Sequence, residues 1–293
     1  MMAFPFRRVA IVGLGLMGGS VAKALRAAGY TGDIAACLHG GDKALQTLRA
    51  EAESWQIKLT VVLSEALKDA DLVVLATPPA VLLMQLSEIA QRVSDTAIVS
   101  DVASTKSAIA ERGAELLGAR FVAAHPVIGS EKTGFAAARE DLYRGAQVVL
   151  TPQAGVTSVE ALQKIRAFWR FLGADVLEMS PPAHDTALAA TSHLPHLLAF
   201  TYMAGLEADA SRLKNLAGGG LRDFSRIADS DPRLWTEILR ENRHALCQQL
   251  QALQQHLAAA EVILQKDDTQ ALAGLLTKGR NIRRQFHFPL AHS

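Results

Sequence analysis

The 293-residue chain is predicted to form an α/β domain with a mainly parallel sheet, followed by an all-α domain. Three observations carry that expectation. Short apolar runs alternate with helix-length segments through the first 180 residues, the pattern of successive βαβ units. The pattern stops at Ser180-Pro181-Pro182, and no strand-like run follows. The first apolar run opens into a glycine-rich turn and then a helix. The division is therefore expected near residue 180, as 1–180 and 181–293.

Val9–Val12 reads as a buried strand and Gly19–Ala28 as the helix after it, with Gly29 as its stop. Asp33–Leu38 is a second short strand and Asp42–Ala52 a helix. Leu72–Ala76 is a strand ended by Thr77-Pro78-Pro79. Val81–Arg92 reads as a helix, Thr96–Ser100 as a strand and Lys106–Leu117 as a helix. Phe121–Ala124 and Gln147–Leu150 are strands, and the helix Thr157–Leu172 leads to Asp175–Met179. Strands separated this way pair in parallel through right-handed crossovers. Beyond the prolines, Ala183–Ala208 is one apolar helical stretch bent near Pro195. Ser211–Leu216 and Pro232–Lys266 are helical, and Thr269–Arg284 is a last amphipathic helix.

Hydrophobic residues make up 49% of the chain and charged residues 20%, the balance of a globular protein with a sizeable core. Thirty Lys+Arg against 29 Asp+Glu leave a net charge of +1, which argues against nucleic-acid binding by bulk charge. Cys37 and Cys247 lie far apart, so neither a disulfide scaffold nor a CxxC metal site is expected, and a reducing cytoplasm fits. No apolar run reaches the ~18 residues of a membrane span. Met1 to Arg8 has no signal-peptide pattern.

Gly13-Leu14-Gly15-Leu16-Met17-Gly18 fits GxGxxG between the first strand and the first helix. The first glycine permits the tight turn, the second lets backbone approach a pyrophosphate, and the third lets helix and strand pack closely. The helix N-terminus attracts the anion. A Rossmann-type domain holding a nicotinamide dinucleotide is expected, with Gly13, Gly15, Leu16, Met17 and Gly18 at the cofactor. An NAD enzyme usually ends its second strand with an acid on the ribose 2′-hydroxyl. Here that position is His39, within His39-Gly40-Gly41-Asp42-Lys43. Losing the acid removes repulsion of a 2′-phosphate, which His39 and Lys43 would attract. NADP is therefore favoured over NAD, unless Asp42 folds back to the ribose.

A dehydrogenase needs a proton acceptor beside the oxidised hydroxyl and a group for the substrate's charge. Ser104 follows the strand ending near Ser100-Asp101, and His125 ends the strand Phe121–Ala124. Both fall at carboxyl strand ends, where ligands bind. His125 is either a titrating base or a structural cap. Gly218–Arg226 is expected as a flexible charged joint between helices, where Arg222 and Arg226 could clamp carboxylates. His193 and His196 flank Pro195. They lack further ligands for a metal, so pocket lining or helix packing is expected instead.

Together these motifs resemble the prephenate/arogenate (cyclohexadienyl) dehydrogenases of tyrosine biosynthesis. The matches are VGLGLMGGS at Val12–Ser20, ATPP at Ala76–Pro79, SDVASTK at Ser100–Lys106 and HPVIGSEKTG at His125–Gly134. SHLPH at Ser192–His196 and GGGLRDFSRIADSDPRLW at Gly218–Trp235 complete the set. The resemblance implies oxidative decarboxylation, with His125 accepting the C4 hydroxyl proton and Ser104 supporting both it and the nicotinamide. It implies Thr77 and Pro78 at the cofactor, Arg226 on a substrate carboxylate, and Glu131, His193, His196, Gly219, Arg222, Asp223 and Trp235 around the pocket. It also implies an all-α C-terminal dimerisation domain and a homodimer. Leu246, Leu250, Leu253, Leu257, Val262, Ile263, Leu272, Leu275 and Leu276 are more apolar surface than a thin helical layer is expected to hide alone. Prephenate is preferred as substrate, with arogenate or dual specificity as the alternative. A β-hydroxyacid dehydrogenase and a non-catalytic nicotinamide-binding regulator are the more distant readings.

Overall fold

The apolar runs of the first half pair into a single sheet. The computed structural model describes residues 4–38, 41–128 and 132–286, the Asp42 side chain excepted. Its strands are β1 (Arg8–Val12), β2 (Asp33–Cys37), β3 (Lys58–Thr60), β4 (Leu72–Leu75), β5 (Ile98–Asp101), β6 (Phe121–Val127), β7 (Gln147–Thr151) and β8 (Asp175–Glu178). Their order is β3-β2-β1-β4-β5-β6-β7-β8, and every pair is parallel except β6–β7.

The helices of this half are α1 (Leu16–Ala27), α2 (Gly41–Ser54), α3 (Leu63–Leu67), α4 (Pro79–Arg92), α5 (Ser107–Leu117) and α6 (Val159–Phe171). Strand side chains alternate between faces, so both faces need cover. Val9 and Ile11 of β1 join Val21, Leu25, Ile165 and Trp169 from α1 and α6. Ala10 and Val12 join Leu82, Leu86, Ile89 and Ile109 from α4 and α5. Central β1 lies between β2 and β4. The chain therefore leaves it in opposite directions, and a crevice opens beyond the carboxyl ends of β1 and β4.

Two details of the sheet position the site. β5 and β6 pair only at Val99–Phe121 and Ser100–Val122, then separate. β6 instead continues along β7, so His125, expected at a strand end, lies within the strand opposite Val149. Pro126 is tolerated there because β5 no longer borders that edge.

After β8 the chain is helical: α7 (Pro181–Leu188), a π turn (Ala189–His193), α8 (Leu194–Gly205), α9 (Ala210–Leu213), α10 (Gly219–Ser225), α11 (Pro232–Glu241), α12 (Arg243–Gln265) and α13 (Thr269–Arg283). The bend expected at Pro195 is the π turn just before it. Proline cannot donate to the preceding turn, and its ring crowds the carbonyl four residues back, so the wider turn absorbs the mismatch. The long helix expected over Pro232–Lys266 breaks at Asn242. The joint expected at Gly218–Arg226 is instead helix α10, started by an extended Gly218 and followed by a 3-10 turn at Arg226–Asp229. No helix among the described residues is long and apolar enough to cross a membrane.

Candidate active site

The glycine turn has the geometry its three positions require. Gly13 has φ +96, and its N–H donates to the Cys37 carbonyl at 3.0 Å. A Cβ at Gly18 would fall 2.0 Å from the Gly13 carbonyl oxygen, whereas one at Gly15 would meet nothing within 4 Å. Gly15 thus leaves open space in front of α1, whose first turn has neither a side-chain cap nor an acid. Free N–H groups at the positive end of a helix fit a pyrophosphate. The buried Tyr143 hydroxyl donates to the Met17 carbonyl at 2.7 Å and braces this turn from behind. The residues present therefore fit a dinucleotide.

A cavity of about 320 Å3 opens at the switch point. Gly15, Leu16 and Met17 form one side, and Ala76, Thr77, Pro78 and Pro79 after β4 form the next. Ser104, His125, Pro126, Ile128 and Lys132 to Gly134 also line it, and Ser230, Asp231, Leu234 and Trp235 line it from the helical half.

His125 is held by an unusual arrangement. Where β5 and β6 part, the backbone of Ala124 would lose its ladder partners. Asp101 accepts the Ala124 N–H at 3.1 Å, and the Lys106 ammonium donates to the Ala124 carbonyl at 2.8 Å. Asp101 and Lys106 also pair with each other, both side chains fully buried. The ring of His125 lies against His184, with its Nδ1 2.8 Å from His184 Nε2. Burial, then the fields of His184, Lys106 and His193, hold His125 well below the usual histidine range, so it is neutral at neutral pH. A neutral imidazole on a cavity wall can take a proton.

A second histidine is fixed nearby. Asn242 donates one hydrogen to the Asp185 carbonyl at 2.7 Å and another to His193 Nδ1 at 2.9 Å. Burial pushes His193 down to about 4. His196 donates through Nδ1 to the Ser192 carbonyl and stacks on Trp235, with ring centroids 3.5 Å apart. Burial also lowers His196, and Arg226 adds to the effect, which puts that guanidinium within electrostatic reach of the ring.

Of the residues expected from the sequence, Gly15, Leu16, Met17, Thr77, Pro78, Ser104, His125 and Trp235 border one cavity. Gly13 and Gly18 shape the turn beneath it. His193 and His196 pack behind Trp235, and Arg226 follows at the end of α10. Gly219, Arg222 and Asp223 do not border the cavity within one chain. The Arg222 and Asp223 side chains are 81% and 77% exposed and bond to each other at 3.4 Å. His39 and Glu131 lie outside the described residues. Among the described residues, no group of three or more His, Cys, Asp or Glu side chains forms a metal site.

Sequence reasoning missed Asp101, Lys106, His184, Asp185 and Asn242. Asn242 had a usable signal. It sits at helical spacing between Ile238 and Leu246, both buried, and a polar residue on a buried stripe needs a partner.

Comparison with known proteins gives a consistent result. The family model "Prephenate dehydrogenase, nucleotide-binding domain" matches residues 21–178, and "Prephenate dehydrogenase, dimerization domain" matches 180–278. A prephenate dehydrogenase of Lactococcus lactis is 30% identical over 290 residues, covering 95% of this chain and 77% of that protein. A cyclohexadienyl dehydrogenase of Zymomonas mobilis is 33% identical over 246 residues, covering 82% and 83%. The crystal structure of prephenate dehydrogenase from A. aeolicus with hydroxyphenyl propionate and NAD+ superposes with a TM-score of 0.90. It has 29% identity and covers 97% of this chain and 99% of that one.

Proposed function

The chain belongs to the prephenate dehydrogenase family, and on that premise we propose that it converts prephenate to 4-hydroxyphenylpyruvate by oxidative decarboxylation with NAD(P)+. One observation carries the reading: a buried, neutral imidazole lines the same cavity as the dinucleotide turn. The bound nicotinamide supplies the hydride acceptor. His125 takes the proton of the ring's C4 hydroxyl. Ser104, which lines the same cavity, supports this imidazole and the nicotinamide. As the hydride leaves C4, the C1 carboxylate departs as CO2 and the ring becomes aromatic. Arg226 pairs with a substrate carboxylate, and Trp235, backed by His196, closes the helical side. Glu131, His193, Gly219, Arg222 and Asp223 belong to the surrounding pocket in this reading, some of them from a second copy of the chain.

Within that reaction the finer choices are also ours. NADP is favoured over NAD by the absence of an acid at His39 and by Lys43 on the first turn of α2. Asp231 on the cavity wall is the observation that favours an ammonium-bearing substrate, arogenate. Lys132, which also lines the cavity, favours the keto acid. The two free cysteines, Cys37 and Cys247, fit a reducing compartment such as the cytoplasm. Initial rates with prephenate or arogenate, each with NAD+ or NADP+, test all of this. The highest kcat/KM is expected for prephenate with NADP+. No turnover in any of the four combinations would refute the assignment.

A further inference from the structure

His125 ends a chain of buried groups whose hydrogens can be assigned one by one. Ser180 caps α7 by accepting from the Ala183 N–H, and Pro181 and Pro182 start the helix. That start turns His184 and Asp185 inward, 0% and 7% exposed, onto the N-terminus of α5. Asp185 accepts the Lys106 and Ser107 N–H groups, each at 2.8 Å. These are first-turn donors with no partner inside their own helix, and they sit at its positive end. Burial disfavours the Asp185 charge, but the bonds from His184, Ser107 and Lys106 outweigh it and keep the carboxylate ionised.

An ionised carboxylate only accepts. The 2.9 Å contact between His184 Nδ1 and Asp185 Oδ1 therefore places a hydrogen on His184 Nδ1. Burial keeps His184 itself neutral, against the pull of Asp185. A neutral imidazole carrying its hydrogen on Nδ1 has a bare Nε2. The hydrogen in the 2.8 Å contact with His125 then belongs to His125 Nδ1.

We propose that His184 and Asp185 are positioning residues that fix His125 in its Nδ1–H tautomer, leaving the Nε2 lone pair free as the proton acceptor. The proposal rests on the reading of His125 as the base. In the opposite tautomer Nε2 would present a hydrogen to the substrate hydroxyl and could not take one. A carboxylate-held partner that sets a base's tautomer is a general catalytic device. The alternative is that Asp185 only caps α5 while His184 fills space.

The full-length enzyme decides between them. Long-range 1H–15N correlation on 15N-histidine-labelled protein reads the tautomer, with the His125 signals identified by their loss in His125→Asn. The Nδ1–H form is expected. His184→Leu leaves Asp185 to cap α5 and should lower kcat roughly 10²-fold, with KM for prephenate within about threefold of wild type. His184→Gln offers an amide oxygen to the same Nδ1–H and should recover about tenfold of that loss. The proposal is overturned by an Nε2–H tautomer in the wild type, by an unchanged kcat in His184→Leu, or by equal kcat for the Leu and Gln variants. If the wild type turns over neither prephenate nor arogenate, the functional reading fails instead, and the tautomer measurement still decides this one. If His184→Leu does not fold, the wild-type tautomer and the Gln variant decide.

Discussion

At the scale of single residues, the decisive quantity is the charge state of buried imidazoles. His125 faces His184 and His193 from the α7–α8 stretch and Lys106 from the start of α5. Asp101 is paired to Lys106, and Asp185 to His184. The Lys106 charge disfavours a further positive charge, as would a proton on either neighbouring histidine, and burial disfavours it most. His125 therefore stays neutral as the pH falls past 6.5, and protonation removes the base only below that. The expected profile of kcat/KM for prephenate is flat from pH 8 to about 6.5, with its acid limb lower. A limb centred at or above about 6.5 would contradict the assigned environment. Linkage gives a second reading of the same groups. The unfolded chain protonates His193 near 6.5 while the native state resists until about 4. Stability from this group is thus full above 6.5 and lost as pH falls through that window, roughly 3 kcal/mol in all. Melting temperatures at pH 7.5, 5.5 and 4.5 should fall in that order. What sequence could show at this scale was uneven. His125 and Ser104 belong to recognisable motifs, His125 within the last half of β6 and Ser104 just after β5. Asp185 and Asp101 act on partners far along the chain or on backbone groups freed by a parting of strands. Neither leaves a periodic trace.

Individual elements were readable where a repeat of burial ran long enough. β4 is four buried residues in a row, and α4 and α5 carry apolar positions at helical spacing. β3 spans three residues and α3 five, too short for any period to emerge. The π turn before Pro195 is set by local backbone sterics, which hydrophobic patterning does not encode. The turn between β1 and α1 was the most legible element, because each glycine answers a separate steric demand, and those demands can be separated experimentally. Gly15 has a negative φ and open space where a methyl would go, so Gly15→Ala should leave the melting temperature within about 2 °C of wild type. The methyl would project into the space a pyrophosphate needs, so the dinucleotide Kd should rise at least about tenfold. Gly18→Ala forces a Cβ into the Gly13 carbonyl, and it should lose stability as well as binding, by about 1–3 kcal/mol. Titration of both variants with NAD+ and NADP+, alongside thermal melts, would expose the difference. Equal stability loss in the two would show that the open face of Gly15 had been misjudged.

For the molecule as a whole, the helical half is the part a single copy leaves incomplete. Leu246 is buried against its own chain, so it gives no argument for a partner. The rest of the long C-terminal pair does. Within the 23 residues of α12 only Leu246 is buried, and no residue of α13 is. Helices in globular proteins are stabilised mainly by an apolar face packed against something else. Leu257, Leu264 and Leu276 are 58%, 63% and 65% exposed, with Tyr202 and Phe224 also open to solvent and in edge-to-face contact with each other. Leu257 and Leu264 are seven residues apart on α12 and share a face. The family match assigns a dimerisation domain to residues 180–278, so the natural cover is the same surface on a second copy. Sedimentation should give a dimer at micromolar concentration. Leu257→Glu with Leu264→Glu should shift it to monomer and lower the melting temperature by several degrees, because two charges would enter a desolvated face. Loss of kcat/KM along with loss of the dimer would mean that the partner also supplies pocket groups. It would then explain how α10, exposed in one chain, carries Arg222 and Asp223. A wild-type monomer with full activity would leave the apolar faces of α12 and α13 without this explanation and would remove the dimer from the account.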